Sequence, residues 1–192
     1  MSLIHRREKI IYRAIDVINE LGVQALSTKR IAQHEHIAES TIFKHFKSKT
    51  EILAAVIDFY SQYDSDLEES IQIKGLKGVE ALLFLTQSYV RYYENYPAIT
   101  SITQGLDEMR YIEGLSDKVI EVINKRRSCV RKIIEEGIAL GEISQVYDST
   151  TFVDAIMGSI NGIVRRWRME AYSFGLSDQC MKAISMILRI SN

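Results

Sequence analysis

The chain has a single proline (Pro97), two widely separated cysteines and no apolar stretch near membrane-spanning length in its 192 residues. Scarce proline with only ten glycines argues against a loop-rich β fold and leaves room for long helices. The alternating apolar–polar runs that make half-buried strands are nearly absent. The predicted fold class is all-α. Cys129 and Cys180 have no metal-ligand spacing and read as reduced thiols of the cytosol. No signal segment opens the chain, so a cytoplasmic protein without a membrane partner is expected. No nucleophile–base pair, metal cluster or phosphate-cradling loop stands at usable spacing, so neither an enzyme nor a cofactor is expected. His34, His36 and His45 lack a cysteine or acid that would complete a metal site.

Charge is present in both signs but unevenly spread. The net charge is −1, yet residues 1–50 hold nine lysines and arginines against five acids, and the rest of the chain fifteen against twenty. All four histidines also lie in the first fifty residues. A basic head on an acidic body fits a head that meets phosphate and a body that meets something else.

Residues 27–53, STKRIAQHEHIAESTIFKHFKSKTEIL, are the most informative stretch. Ser27 is a natural N-cap for a helix over 28–34, a turn follows at 35–38, and a second short helix is predicted over 39–46. Ile31, Ala32, Ile37, Ile42, Phe43 and Phe46 supply apolar positions for so small a unit, with Phe43 and Phe46 read as core plugs. Ser48-Lys49-Thr50-Glu51 fits a capping box that launches a long helix toward residue 71. Basic, hydroxyl and aromatic side chains cluster where a nucleic-acid backbone would be met.

Helical periodicity continues on both sides. A first helix is predicted over 5–21, closed by Gly22. After a break at 74–78, helices are predicted over 79–95, 97–105, 117–140, 149–172 and 177–190, with 106–116 ambiguous. Gly158 and Gly162 stand one turn apart in the penultimate helix, a spacing that lets two helices approach closely. The last two helices could complete a monomeric core or pair with their counterparts in a second subunit. Tyrosines and other aromatics of the larger part suit a largely hydrophobic cavity with a few orienting hydroxyls.

Ile11 and Ala14, Gly22, Ser27-Thr28, Ile31-Ala32, Thr41-Ile42-Phe43, His45-Phe46, Ser48-Lys49 and Leu53 together resemble the tetracycline-repressor (TetR) family of bacterial transcription regulators. The match is detailed over residues 8–60; beyond that only the helical plan agrees. The resemblance implies an N-terminal three-helix helix-turn-helix DNA-binding domain (1–50) and a C-terminal helical ligand-binding and dimerisation domain (51–192). It implies a homodimer on a double-stranded DNA operator, released by a small hydrophobic effector. Carried over by position, Thr28, Lys44 and His45 fall where family members touch DNA, and Lys49 where they grip a phosphate. The wider DNA-contacting set expected here adds Lys29, Glu39, Ser40, Thr41, Phe43 and Lys47.

Three departures from the family pattern stand in the head: His36 for glycine in the turn, Ala38 for a capping hydroxyl, and Phe43 for a phosphate-reaching tyrosine. Glu39 adds a negative charge near the groove, although a glutamate can accept from cytosine N4. The effector is expected among Tyr63, Tyr89, Tyr92, Ile134, Met157, Asn161 and Trp167, with Arg91, Arg110 or Arg131 available to a carboxylate. The functional expectation is a ligand-responsive repressor. The rival is a helical adaptor whose degenerate head, with Ala38, Glu39 and Phe43, binds a protein partner instead of specific DNA.

Overall fold

The computed structural model describes residues 3–144 and 148–190. Its helices are α1 (Leu3–Leu21), α2 (Thr28–Glu35), α3 (Glu39–Phe43), α4 (Lys49–Lys74), α5 (Gly78–Asn95), α6 (Thr100–Met109), α7 (Ser116–Ala139), α8 (Ser149–Met169) and α9 (Leu176–Ile190), with a short 3₁₀ turn at Pro97–Ile99. No strand occurs among the described residues. The all-α expectation holds. The ambiguous 106–116 stretch resolves into the end of α6 and a turned connection to α7.

The chain divides into two compact units. The first holds α1 to α3, α4 through Tyr63, and the excursion Pro97–Val122. The second holds Asp64–Tyr96 and the chain from Ile123 onward. The head thus draws α6 into its own unit, where α1 packs on α2, on α6 and on the 3₁₀ turn. Ile10, Ile15, Ile31, Ile42, Phe46 and Ile52 form the core of this unit, each no more than 1% exposed. Burying side chains of this size contributes about 1.5–3 kcal/mol each, which is how helices as short as α2 and α3 persist.

The recognition segment differs from expectation in two ways. α3 stops at Phe43 because the His45 N–H bonds back to the Ile42 carbonyl at 2.9 Å, tightening the final turn and carrying Phe46 inward. Phe43 is not a core plug: Ile42 occupies the inward position, and Phe43, the next residue around the helix, is 53% exposed. The cap at the start of α4 is close to the expected box. The Glu51 N–H donates to Ser48 Oγ at 3.1 Å, while the Glu51 carboxylate accepts the Lys47 N–H at 2.7 Å rather than that of Ser48.

In the second unit α9 packs on both α5 and α8. Leu82, Val90, Ile134, Val153, Val164, Leu176 and Ile184 are completely buried. α5 begins against the end of α7, with the Gly78 and Gly137 backbones nearly touching; a Cβ built on Gly78 would stand 3.1 Å from Gly137 Cα. The Glu142 carboxylate then accepts the Val79 N–H at 2.8 Å, near the start of α5. α8 ends three residues earlier than predicted, because Ala171 and Tyr172 adopt left-handed conformations and Tyr172 N–H turns back to the Trp167 carbonyl at 2.8 Å. Burial pushes the Cys129 and Cys180 thiols up to about 12, helped by Glu68 and Glu94 respectively, so neither is a thiolate at neutral pH.

His36 closes α2 with φ 55° and ψ 44°, a conformation that crowds any Cβ. Replacing it with glycine removes that strain and adds some freedom to the unfolded chain. The expected net result is a gain of about 0.5–1 kcal/mol in stability. It should be read as a higher urea midpoint at unchanged m-value; an unchanged or lower midpoint contradicts the assignment of strain.

Candidate functional site

The ten residues expected to meet DNA fall on the first turn of α2, on α3 and on the turn into α4, all within the first unit. Lys29, Ser40, Phe43, Lys44 and Lys47 are exposed; Thr28, Glu39, Thr41, His45 and Lys49 are half-buried. The Ser27 side chain caps α2 by accepting the Arg30 N–H at 3.2 Å, which sets Thr28 in its first turn. Ala38 leaves the start of α3 without a side-chain cap. In compensation, the Thr28 hydroxyl reaches across to the Glu39 carboxylate at 2.5 Å and ties the starts of α2 and α3 together.

The basic residues of the head split into two sets. The three arginines of α1 are paired within the head, while Lys9 on the same helix is exposed: Arg6 and Arg13 meet Glu35 at 3.4 and 2.9 Å, and Arg13 also meets Asp16 at 2.9 Å. The Glu35 and Asp16 hydrogen bonds raise the Arg13 guanidinium further above its ordinary value. Arg7 donates to the His45 carbonyl at 2.6 Å, lies 3.7 Å from Glu51 and sits 4.1 Å over the Phe46 ring. By contrast Lys29, Lys44 and Lys47 form no ion pair among the described residues. Lys49 lends one hydrogen bond to the Gln24 carbonyl at 3.2 Å. These three exposed lysines and Lys49 are thus the expected DNA-contacting cations that no carboxylate holds among the described residues. From sequence the nine cations look alike: only Asp16, three residues from Arg13, is a local partner, while Glu35 and Glu51 lie 22 or more residues from the arginines they meet.

The residues expected around an effector are distributed less uniformly. Tyr89 and Ile134 are buried, Tyr92 and Met157 half-buried, and Trp167 is 3% exposed with its indole N–H on the Phe174 carbonyl at 2.9 Å. Tyr92 packs beside Tyr93 and Tyr96 with ring centroids 6.1 and 6.4 Å apart. Tyr63 is half-buried at the end of the first unit's share of α4, and Asn161 is exposed on α8. Asn161 stands about 60° around the helix from buried Val164 and about 120–140° from Trp167 and Ile156, at the edge of the buried arc and facing out of it.

A buried polar group in the second unit escaped the sequence reading. Arg126 grips Asp64 with two hydrogen bonds, 3.1 and 2.7 Å, and the Tyr89 hydroxyl donates to the same carboxylate at 2.6 Å. Asp64 is 3% exposed, and Arg126 lies 4.9 Å over the Tyr89 ring. Burial holds the Tyr89 phenol well above its ordinary value, so it is a permanent donor. Of the three arginines offered to a carboxylate, Arg91 is exposed and Arg110 is exposed and bonded to Tyr111. Arg131 has its Nε buried without a hydrogen-bond partner among the described residues.

A capped helix-turn-helix with a set of unspent lysines defines a DNA-binding transcription regulator rather than an enzyme. Residues 10–56 match the description "Bacterial regulatory proteins, tetR family", residues 58–190 match "YsiA-like protein, C-terminal region", and the chain belongs to the TetR family. The fatty acid metabolism regulator protein of Bacillus subtilis (strain 168) is 26% identical over 171 residues, covering 88% of this chain and 86% of that protein. Nucleoid occlusion factor SlmA of Vibrio cholerae is 22% identical over 173 residues, covering 89% and 88%. The crystal structure of FadR from Bacillus subtilis in complex with stearoyl-CoA has the same fold, with a TM-score of 0.80, 24% identity and coverage of 94% and 97%.

Lys49→Ala should weaken binding to specific and random duplexes alike and reduce the salt-dependence slope by about one unit, since one phosphate contact is lost. Fluorescence anisotropy across a salt series measures both; an unchanged slope would leave Lys49 a structural donor to Gln24 only.

Proposed function

We propose that the protein is a cytoplasmic homodimeric repressor that leaves its operator when an acidic, long-chain apolar effector binds the second unit. The observation that carries the DNA half is the head's division of labour, with arginines holding the scaffold and lysines left outward. Support for the effector half comes from unit two, where Tyr89, Tyr93 and Ile134 are buried and Tyr92 is half-buried. Arg131, with its buried and unpartnered Nε, suits a carboxylate or phosphate at the end of such a guest. The relative that regulates fatty acid metabolism and the FadR complex with stearoyl-CoA point the same way. No helix among the described residues is long and apolar enough to cross a membrane.

Assembly through α8 and α9 is supported by what they leave uncovered. A Cβ on Gly158 or Gly162 would meet nothing within 4 Å, and Met169 and Met186 are 79% and 58% exposed. Gly162→Leu should therefore shift the protein toward monomer and roughly halve the salt slope of operator binding, since one head grips half the phosphates. Ile184 is unsuitable as a probe of assembly because it is 0% exposed within one chain and its replacement tests folding. Sedimentation of the wild type as a monomer at micromolar concentration sinks the dimer.

A ligand can act only through its different affinity for the DNA-bound and DNA-free states. Long-chain acyl-CoA or free fatty acid should release the wild type from operator DNA in an anisotropy titration. Arg131→Gln should require about tenfold more of either for release, the worth of a charged hydrogen bond, while binding DNA normally in its absence. Tyr92→Ala should likewise blunt release. Equal sensitivity of all three proteins rules out this placement of the effector, and no release by either class rules out the effector itself.

A further inference from the structure

The five residues of α3, Glu-Ser-Thr-Ile-Phe, contain no arginine, lysine, asparagine or glutamine. The side chains that read guanine and adenine through paired hydrogen bonds are thus absent from the helix itself. What the helix presents instead is a carboxylate and an aromatic ring. Glu39 and Phe43 stand four residues apart and share one face. Ile42 is fully buried beneath them, while Phe43 is 53% exposed with no aromatic partner or cation over it among the described residues.

The Glu39 carboxylate is held, not loose. One oxygen accepts the Thr28 hydroxyl at 2.5 Å, and the other has no hydrogen-bond partner among the described residues. An ionised carboxylate only accepts, so it is repelled by the O6 and N7 edge of guanine and by O4 of thymine. Cytosine offers its N4 donor without an adjacent ring acceptor, whereas the adenine N6 donor stands beside N7. An exposed phenyl ring has a matching apolar target in the major groove, the thymine C5 methyl. Four helical residues rise about 6 Å, close to two base steps of about 3.4 Å each.

We infer that α3 is a pyrimidine reader: Glu39 selects a cytosine and Phe43 a thymine about two steps away, with Thr28 the positioning residue that aims the carboxylate. This rests on the assignment of the head to DNA and goes beyond it by naming the bases that one helix selects. Glu39 then acts as a filter, because its charge weakens binding to every sequence that fails to supply the N4 donor.

The experiment is selection of binding sites from random duplex DNA with the full-length protein, followed by single-base replacement in the selected site. Each half-site should contain a cytosine and a thymine about two steps apart. Replacing that thymine by deoxyuridine, which removes only the methyl group, should weaken the wild type several-fold and leave Phe43→Ala indifferent. Glu39→Gln should relax the cytosine requirement toward adenine. Thr28→Val should weaken the cytosine preference while leaving random-duplex affinity unchanged, and Thr28→Ser should restore the preference; a purely structural bond would instead lower affinity for every sequence alike. Random-duplex affinity of the wild type separates the two levels of failure. If it is absent, the DNA assignment falls and this inference with it. If it is present but the selected sites lack the pair, or deoxyuridine costs the wild type and Phe43→Ala equally, the pyrimidine reader alone is overturned.

Discussion

The head depends on the Arg7 guanidinium. A helix of five residues has too few internal hydrogen bonds to hold itself, and α3 begins without a side-chain cap. Arg7 compensates from α1: it donates to the His45 carbonyl just past α3, covers the Phe46 ring that anchors the same turn, and approaches Glu51 at the start of α4. Glu51 in turn accepts the Lys47 N–H. One planar cation therefore fixes the exit of the recognition helix and the entrance of the next at once. Lysine, a compact point charge, would not span these partners with fixed geometry.

That arrangement explains how a chain of net charge −1 presents a basic face. Arginines suit fork-shaped contacts to carboxylates and are used for scaffolding in α1, whereas the strongly hydrated lysines stay at the surface. The contribution of each ion pair to stability is modest, about 0–1 kcal/mol for those in contact with solvent. Their larger effect is to pair Glu35, Asp16 and Glu51 with arginines, so that these carboxylates do not offset the charge of the head's lysines.

Most of the fold was legible because it follows period 3.6 and recognisable stops. Ser27, Ser48 and Gly22 marked helix ends by local chemistry, and the long stripes of α4 and α7 left little ambiguity. What was illegible depended on competition between neighbours. Phe43 and Ile42 are both apolar and adjacent, and only packing decides that Ile42 goes in and Phe43 out. The early end of α8 arises from left-handed Ala171 and Tyr172, two residues whose types give no warning of that conformation. Asp64 sits in a helix otherwise read for its apolar stripe, and its partners Arg126 and Tyr89 lie far along the chain, so no local pattern joins them. The assignment of Pro97–Val122 to the head's unit is likewise a property of the folded chain alone.

The Asp64–Arg126–Tyr89 cluster has a consequence for how this protein can change over time. Losing Arg126 strands the Asp64 carboxylate, 3% exposed, at a penalty of about 3–5 kcal/mol, a large part of the stability margin of many domains; losing Asp64 leaves the 15% exposed Arg126 without its partner. Replacing both by well-packed apolar side chains is nearly neutral by the same physics only if Tyr89, which then loses its acceptor, gives up its hydroxyl as well. Single steps away from the present arrangement are therefore blocked, while the concerted step is open. Lineages that carry this helical pair should hold either both charges or neither, and positions 64 and 126 should drift together.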